Sequence, residues 1–104
     1  MASAEIDSGI CGFCTTVHTT MDGRTVKLEF ESSCGHVRKL AQHLTEVEPY
    51  GEISFRGEGP VTLRLAAEHL QHPACPVPSG ILKAIEVEAG LALPKDASIR
   101  PNKV

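Results

Sequence analysis

Two periodicities divide the chain. From Thr15 to Thr20 a β-branched run, Thr-Thr-Val-His-Thr-Thr, reads as strand, and from Arg24 to Glu31 Val26, Leu28 and Phe30 alternate with Thr25, Lys27 and Glu29. Asp22-Gly23 lies between them, the dipeptide that a two-residue type I′ hairpin turn prefers. With those two residues as the whole loop, Met21 faces Arg24, Thr19 faces Val26, Val17 faces Leu28 and Thr15 faces Phe30. One apolar face results. A slip of one residue would set Val17 against Lys27 and turn the apolar faces apart, so it is disfavoured. The same register, carried on, sets Cys11 across from Cys34.

Further on the period lengthens to that of a helix. Val37, Leu40, Ala41, Leu44 and Val47 form one apolar stripe with Arg38, Lys39, Gln42 and Glu46 outside it, Ser32 or Ser33 as cap and Pro49 as stop. Tyr50 to Phe55 reads as a short strand or an irregular connection. A second helix is expected from Pro60 through about Gln71, with Val61, Leu65 and Leu70 inward. The prolines of the His72–Pro78 stretch break it. A third runs from about Ser79 to Ala89 and stops at Gly90, with Leu91 to Pro94 packing against it. Ala97 to Arg100 reads as a short edge strand, and residues 1–9 as a frayed lead-in. The fold class is therefore α+β: an N-terminal antiparallel hairpin, with room for a third short strand, packed under three helices as one domain.

Composition narrows the partners. At 104 residues and 41% hydrophobic, the chain can bury about 60–70% of its unfolded surface without staples, so its four cysteines are not needed merely to hold it together. The formal charge is −3 and the basic residues are scattered, which argues against nucleic acid. No run is long and apolar enough for a membrane span, and the first residues lack a signal-peptide layout. A cytoplasmic location with reduced thiols is the expectation, and there cysteine clusters more often serve metal or redox chemistry than structural disulfides.

The candidate chemistry is a cysteine set. Glu29-Phe30-Glu31-Ser32-Ser33-Cys34-Gly35-His36-Val37 runs from strand through cysteine into helix, where free N–H groups and the positive helix end favour the anionic thiolate that binds metal or attacks. Cys75 repeats the arrangement ahead of the third helix, and Cys11-Gly12-Phe13-Cys14 adds a close pair. Together Cys11, Cys14, Cys34 and Cys75 match the four-ligand demand of structural Zn2+, with an iron–sulfur cluster as the alternative. His36 and His72 stand within three positions of a cysteine and are substitute ligands. His18, on the polar face of the hairpin, and His43 and His69, on helices, are weaker candidates. The competing readings are burial of the cysteines as small apolar residues, and a disulfide from Cys11 to Cys14 or Cys34 in oxidised protein. A dithiol oxidoreductase is a further rival, disfavoured because Thr15-Thr16-Val17 after the pair is strand material. An enzyme is the less favoured reading. A non-metal interaction or small-molecule-binding module would use Leu91-Ala92-Leu93-Pro94 or Gly57-Glu58-Gly59 against an unknown protein partner. Open sheet edges also suit a homodimer.

Two stretches carry a resemblance. Val26 to Leu44, VKLEFESSCGHVRKLAQHL, resembles the first half of the TSCPD domain, and residues 74–88, ACPVPSGILKAIEVE, its second half. The resemblance implies a small α/β domain with Cys34 and Cys75 as metal ligands, a layout similar to U-type iron–sulfur scaffold proteins. Ser32-Ser33 stand where glycines are usual there, Val77 where an acid is usual, and the Cys11/Cys14 pair is an addition. The chain also resembles a stand-alone prokaryotic family of unknown function that ends in a similar CPVPSGILKAIEVEAGLALP run, which implies no activity.

Overall fold

The turn at Gly23 sets the sheet. In the computed structural model, which describes Met1–Lys103, Gly23 has φ of +63° and no non-glycine residue has positive φ. A type I′ turn on Asp22-Gly23 would need positive φ at Asp22 as well. The chain instead closes on Gly23-Arg24, with glycine at the first central position as type II′ requires, and Asp22 faces Thr25. Strands β2 (Cys14–Asp22) and β3 (Thr25–Ser32) are therefore offset by two residues from the expected register, with Val17 against Phe30, Thr19 against Leu28 and Thr15 against Ser32. An even offset keeps every side chain on its expected face. The partners change, and the apolar face does not.

The expected hairpin is the centre of a four-stranded antiparallel sheet in the order β1-β2-β3-β4. Residues 1–9 are not a frayed lead-in: β1 (Ala2–Asp7) pairs with β2 from Ala2–Thr19 to Asp7–Cys14. Ala2, Ala4 and Ile6 supply its inward face. The fourth strand, β4 (Glu46–Val47), pairs with Val26 and Lys27.

Of the four helices, two pack directly on one face of the sheet and the other two pack against those helices. The first, α1 (Gly35–His43), ends earlier than its stripe suggested, with Leu44 as C-cap and Val47 passing into β4. Val37, Leu40, Leu44 and Val47 are all buried regardless. Pro49 starts a helix rather than stopping one, as the first residue of α2 (Pro49–Glu52). Glu48 before it is extended, as the residue before proline must be, and its carboxylate accepts from the Tyr50 and Gly51 N–H groups. The expected strand at Tyr50–Phe55 is thus absent. In α3 (Val61–His69) Pro60 is the N-cap, and Thr62 and Ala66 are the buried positions, with Val61 and Leu65 only half-buried. α4 (Val77–Glu88) begins two residues earlier than expected, because a proline in the first turn has no intrahelical bond to lose and Pro78 is tolerated there. Its end is a Schellman stop: the Gly90 N–H donates to Val87 O and the Leu91 N–H to Glu86 O.

One core lies between sheet and helices, built from Ile6, Val17, Val26 and Leu28 below and Val37, Leu40, Leu44, Val77, Ile81, Ala84 and Ile85 above. Each fully buried aliphatic side chain contributes on the order of 1.5–3 kcal/mol. The opposite face, with Glu5, Thr16, His18, Glu29 and Glu31, is open and polar. After Gly90 the chain leaves the core. Leu91 stays at the end of α4, but Leu93 is 88% exposed and Ile99 79%, so the stretch beyond it does not pack on that helix, and Ala97–Arg100 forms no strand among the described residues.

Candidate functional site

The cysteines converge on one end of the sheet through the order of its elements. β1 leads into a short 3-10 turn, Gly9–Cys11, which closes through Gly12 at φ of +77° and a Gly12 N–H to Gly9 O bond of 2.8 Å. The Ser8 N–H donates to Phe13 O at 3.0 Å, and Asp7 Oδ1 accepts from the Gly9 N–H at 2.9 Å. Cys11 therefore ends the turn within a tight, exposed loop, and Cys14 begins β2 just beyond it. Cys14 also meets the end of β3: its N–H donates to Ser33 Oγ at 3.1 Å and its carbonyl accepts from the Ser33 N–H at 3.2 Å.

Cys34 follows directly as N-cap of α1. Its N–H donates to Ser32 Oγ, and its carbonyl accepts from the Arg38 N–H, while the Arg38 guanidinium donates to Ser32 O at 3.0 Å. Cys75 arrives from the other side of the chain. α4 runs back along β1, with Gly80 against Ile6 and Glu88 bonded to the Ala2 N–H, so its first turn points toward the Asp7 end. Cys75 stands two residues ahead of that turn, fixed by its N–H to His72 O at 3.1 Å.

A shared end does not make a shared pocket. Thr15, Val17 and Thr19 of β2 are buried, so strand alternation sends Cys14 to the open face with Thr16 and His18. Cys14 lines a shallow cleft of about 300 Å³ with Glu5, Ile6, Asp7, Thr15 and Thr16. Cys34 and Cys75 are half-buried and pack against the core on the helix-covered side. The expected Cys11–Cys34 pairing is also lost, because the ladder ends at Cys14 and Ser33 and the chain then turns away. Among the described residues no group of three or more His, Cys, Asp or Glu side chains is placed to hold a metal ion. The residues as they stand do not fit a ready-made tetrahedral zinc site.

The histidines are distributed otherwise. His36 is exposed in the first turn of α1, and His72 is exposed and lines an apolar groove of about 370 Å³ with Leu63, Ala66, Leu70 and Pro78. His43 and His69, at the last turns of α1 and α3, stack with ring centroids 4.7 Å apart and planes within 6°. That pair was not legible from spacing, since two helices had to be laid side by side to form it.

Two carboxylates have structural duties that the sequence did not disclose. Glu52 is 3% exposed and caps α3, Oε2 accepting from the Val61 N–H at 2.9 Å and Oε1 from the Thr62 N–H at 2.9 Å and its hydroxyl at 2.6 Å. Glu88 accepts from the Ala2 N–H at 2.6 Å and the Met21 N–H at 3.0 Å.

No helix of the described residues is long and apolar enough to cross a membrane. No curated protein and no solved structure matches the chain. A family model does match, over residues 2–101, and by that match the chain belongs to the family of unknown function DUF6951.

Proposed function

We propose that this chain is a small cytoplasmic metal-binding protein whose ligands are Cys11, Cys14, Cys34 and Cys75, with zinc as the metal and an iron–sulfur cluster as the alternative. One observation carries the reading: four free thiols, drawn from three separate stretches of sequence, are directed by the topology to the same end of the sheet. The TSCPD-like resemblance at Cys34 and Cys75 supports it from the sequence side. The exposed Cys11/Cys14 pair is the accessible half of the set. Cys34 and Cys75 are the half shielded by the core, and His36 and His72 are the substitutes. Because the sulfurs are divided between two faces, the reading assigns to the metal the ordering of this end of the molecule, as binding and folding of such sites are commonly coupled.

Cobalt(II) titration of the reduced chain reads the donor set directly, since sulfur-to-cobalt charge transfer grows with each thiolate bound. The reading expects saturation near one cobalt per chain, and a weaker band in Cys11→Ser/Cys14→Ser and in Cys34→Ser/Cys75→Ser alike. Charge transfer that is absent, or the same in all variants, contradicts it.

A second reading is a non-metal interaction module with Leu91–Pro94 or Gly57–Gly59 at the partner surface, and the exposure of Leu93 favours it. The apolar Ile10 and Phe13, exposed on the cysteine loop, would then be partner contacts. Under this reading Cys34→Ser and Cys75→Ser leave stability and oligomer size unchanged.

A further inference from the structure

The sheet has one long open edge, and the chain has one segment suited to it. β1 is the terminal strand, with no partner strand on its outer side among the described residues, whereas the outer side of β3 is partly closed by Thr45–Val47. Beyond Ala2, whose N–H is taken by Glu88, the edge presents free N–H and C=O groups to any extended segment that reaches it. At the other end of the chain, Lys95-Asp96-Ala97-Ser98-Ile99-Arg100 is also six residues long, exposed throughout and without secondary structure. Pro94 and Pro101 bracket it. Each biases the residue before it to extended backbone, and neither falls inside the stretch, so all six N–H groups are free to pair.

We infer that residues Lys95–Arg100 of one copy add as a fifth strand to the β1 edge of a second copy. Alternation and charge both favour this occupant. Ala97 and Ile99 share one face of the segment, matching Ala4 and Ile6 on the covered side of β1, so pairing would bring Ile99 in from solvent beside the α4 flank. Ser98 and Arg100 share the other, matching Glu5 and Asp7 on the open side. β1 carries two acidic side chains and no basic one, and the segment has a net charge of +1, with Arg100 and Asp96 falling on the open side beside Ser98 and Lys95 on the covered side with Ala97 and Ile99. Main-chain bonds supply affinity in such an addition, and the alternate side chains supply register.

The test is sedimentation of the full chain over a concentration series. The wild type should approach twice the 11.1 kDa chain mass. Ser98→Pro, which removes an N–H in the middle of the added strand, should weaken dimerisation about tenfold or more. It lies outside the packed core, and an unchanged circular dichroism spectrum confirms the fold. Arg100→Glu, which removes the basic side chain of the segment's open side, should also weaken the dimer. A chain that stays monomeric to about 1 mM overturns the inference. So does a dimer indifferent to Ser98→Pro, or a monomer in which the amides of 97–100 are protected from exchange, which would place the segment on its own edge.

Discussion

The Cγ1 and Cδ1 atoms of Ile6 in β1 occupy the place where a Cβ on Gly80 of α4 would stand. Gly80 has ordinary helical backbone, so what it provides is close approach rather than an unusual φ. That approach lets α4 settle on β1 and β2, and with it sets where Cys75 enters the cysteine end. Gly80→Leu should destabilise the fold by about 1–3 kcal/mol through overpacking, even after the helix-propensity gain. Ile6→Ala alone should cost about 2–5 kcal/mol through the cavity it leaves. Urea unfolding of both single variants and the double variant checks the coupling, and the double should cost less than the singles added together.

Glu52 is the second point of dependence. Its carboxylate takes the Val61 N–H, the Thr62 N–H and the Thr62 hydroxyl, so truncation strands donors at a buried helix start. Glu52→Ala should cost about 2–4 kcal/mol in thermal or urea unfolding, and Glu52→Gln, which keeps one acceptor oxygen, should cost less. Equal stability of all three proteins would remove Glu52 from this role.

Glu88 fastens the other end of α4 to the sheet. Through it the Ala2 and Met21 N–H groups are tied to the helix, so Glu88→Ala should loosen β1 without unfolding the core. Hydrogen exchange reads this locally. The amides of β1 should exchange faster, while those of Val26 and Leu28 in β3 keep their protection.

What could be read from the letters follows from how each signal is encoded. The covered face of β2 and β3 was legible, because alternation survives an even register offset. The partners were not, since Asp22-Gly23 and Gly23-Arg24 both satisfy a two-residue loop and only the sign of φ at Asp22 separates them. The burial of Val47 is legible and its element is not, because a residue ten positions along a helical stripe and the inward residue of a short strand carry the same apolar label. β1 escaped notice because Ala2 and Ala4 are weak strand formers, and its pairing with β2 is a tertiary matter. At the candidate site, a strand-to-helix junction points to Cys34, a turn ahead of a helix to Cys75, and the close CxxC spacing to Cys11 and Cys14. Which face of the sheet each sulfur takes depends on where the ladder stops, and no spacing records that.

The two halves of the cysteine set should differ in reactivity. Cys11 and Cys14 are exposed, and Cys34 and Cys75 are half-buried against the core. Alkylation of the native, reduced chain with iodoacetamide should label the first pair fully before the second, as mass spectrometry of the digest would show. Prior addition of zinc should slow labelling of all four.

Metal content of the chain, purified reduced and without chelator, bears most directly on the functional reading. Elemental analysis should find about one zinc, or the iron and sulfide of one cluster, per chain, falling in Cys11→Ser/Cys14→Ser. Less than about a tenth of an equivalent, in protein that binds none when zinc is added back, would contradict it.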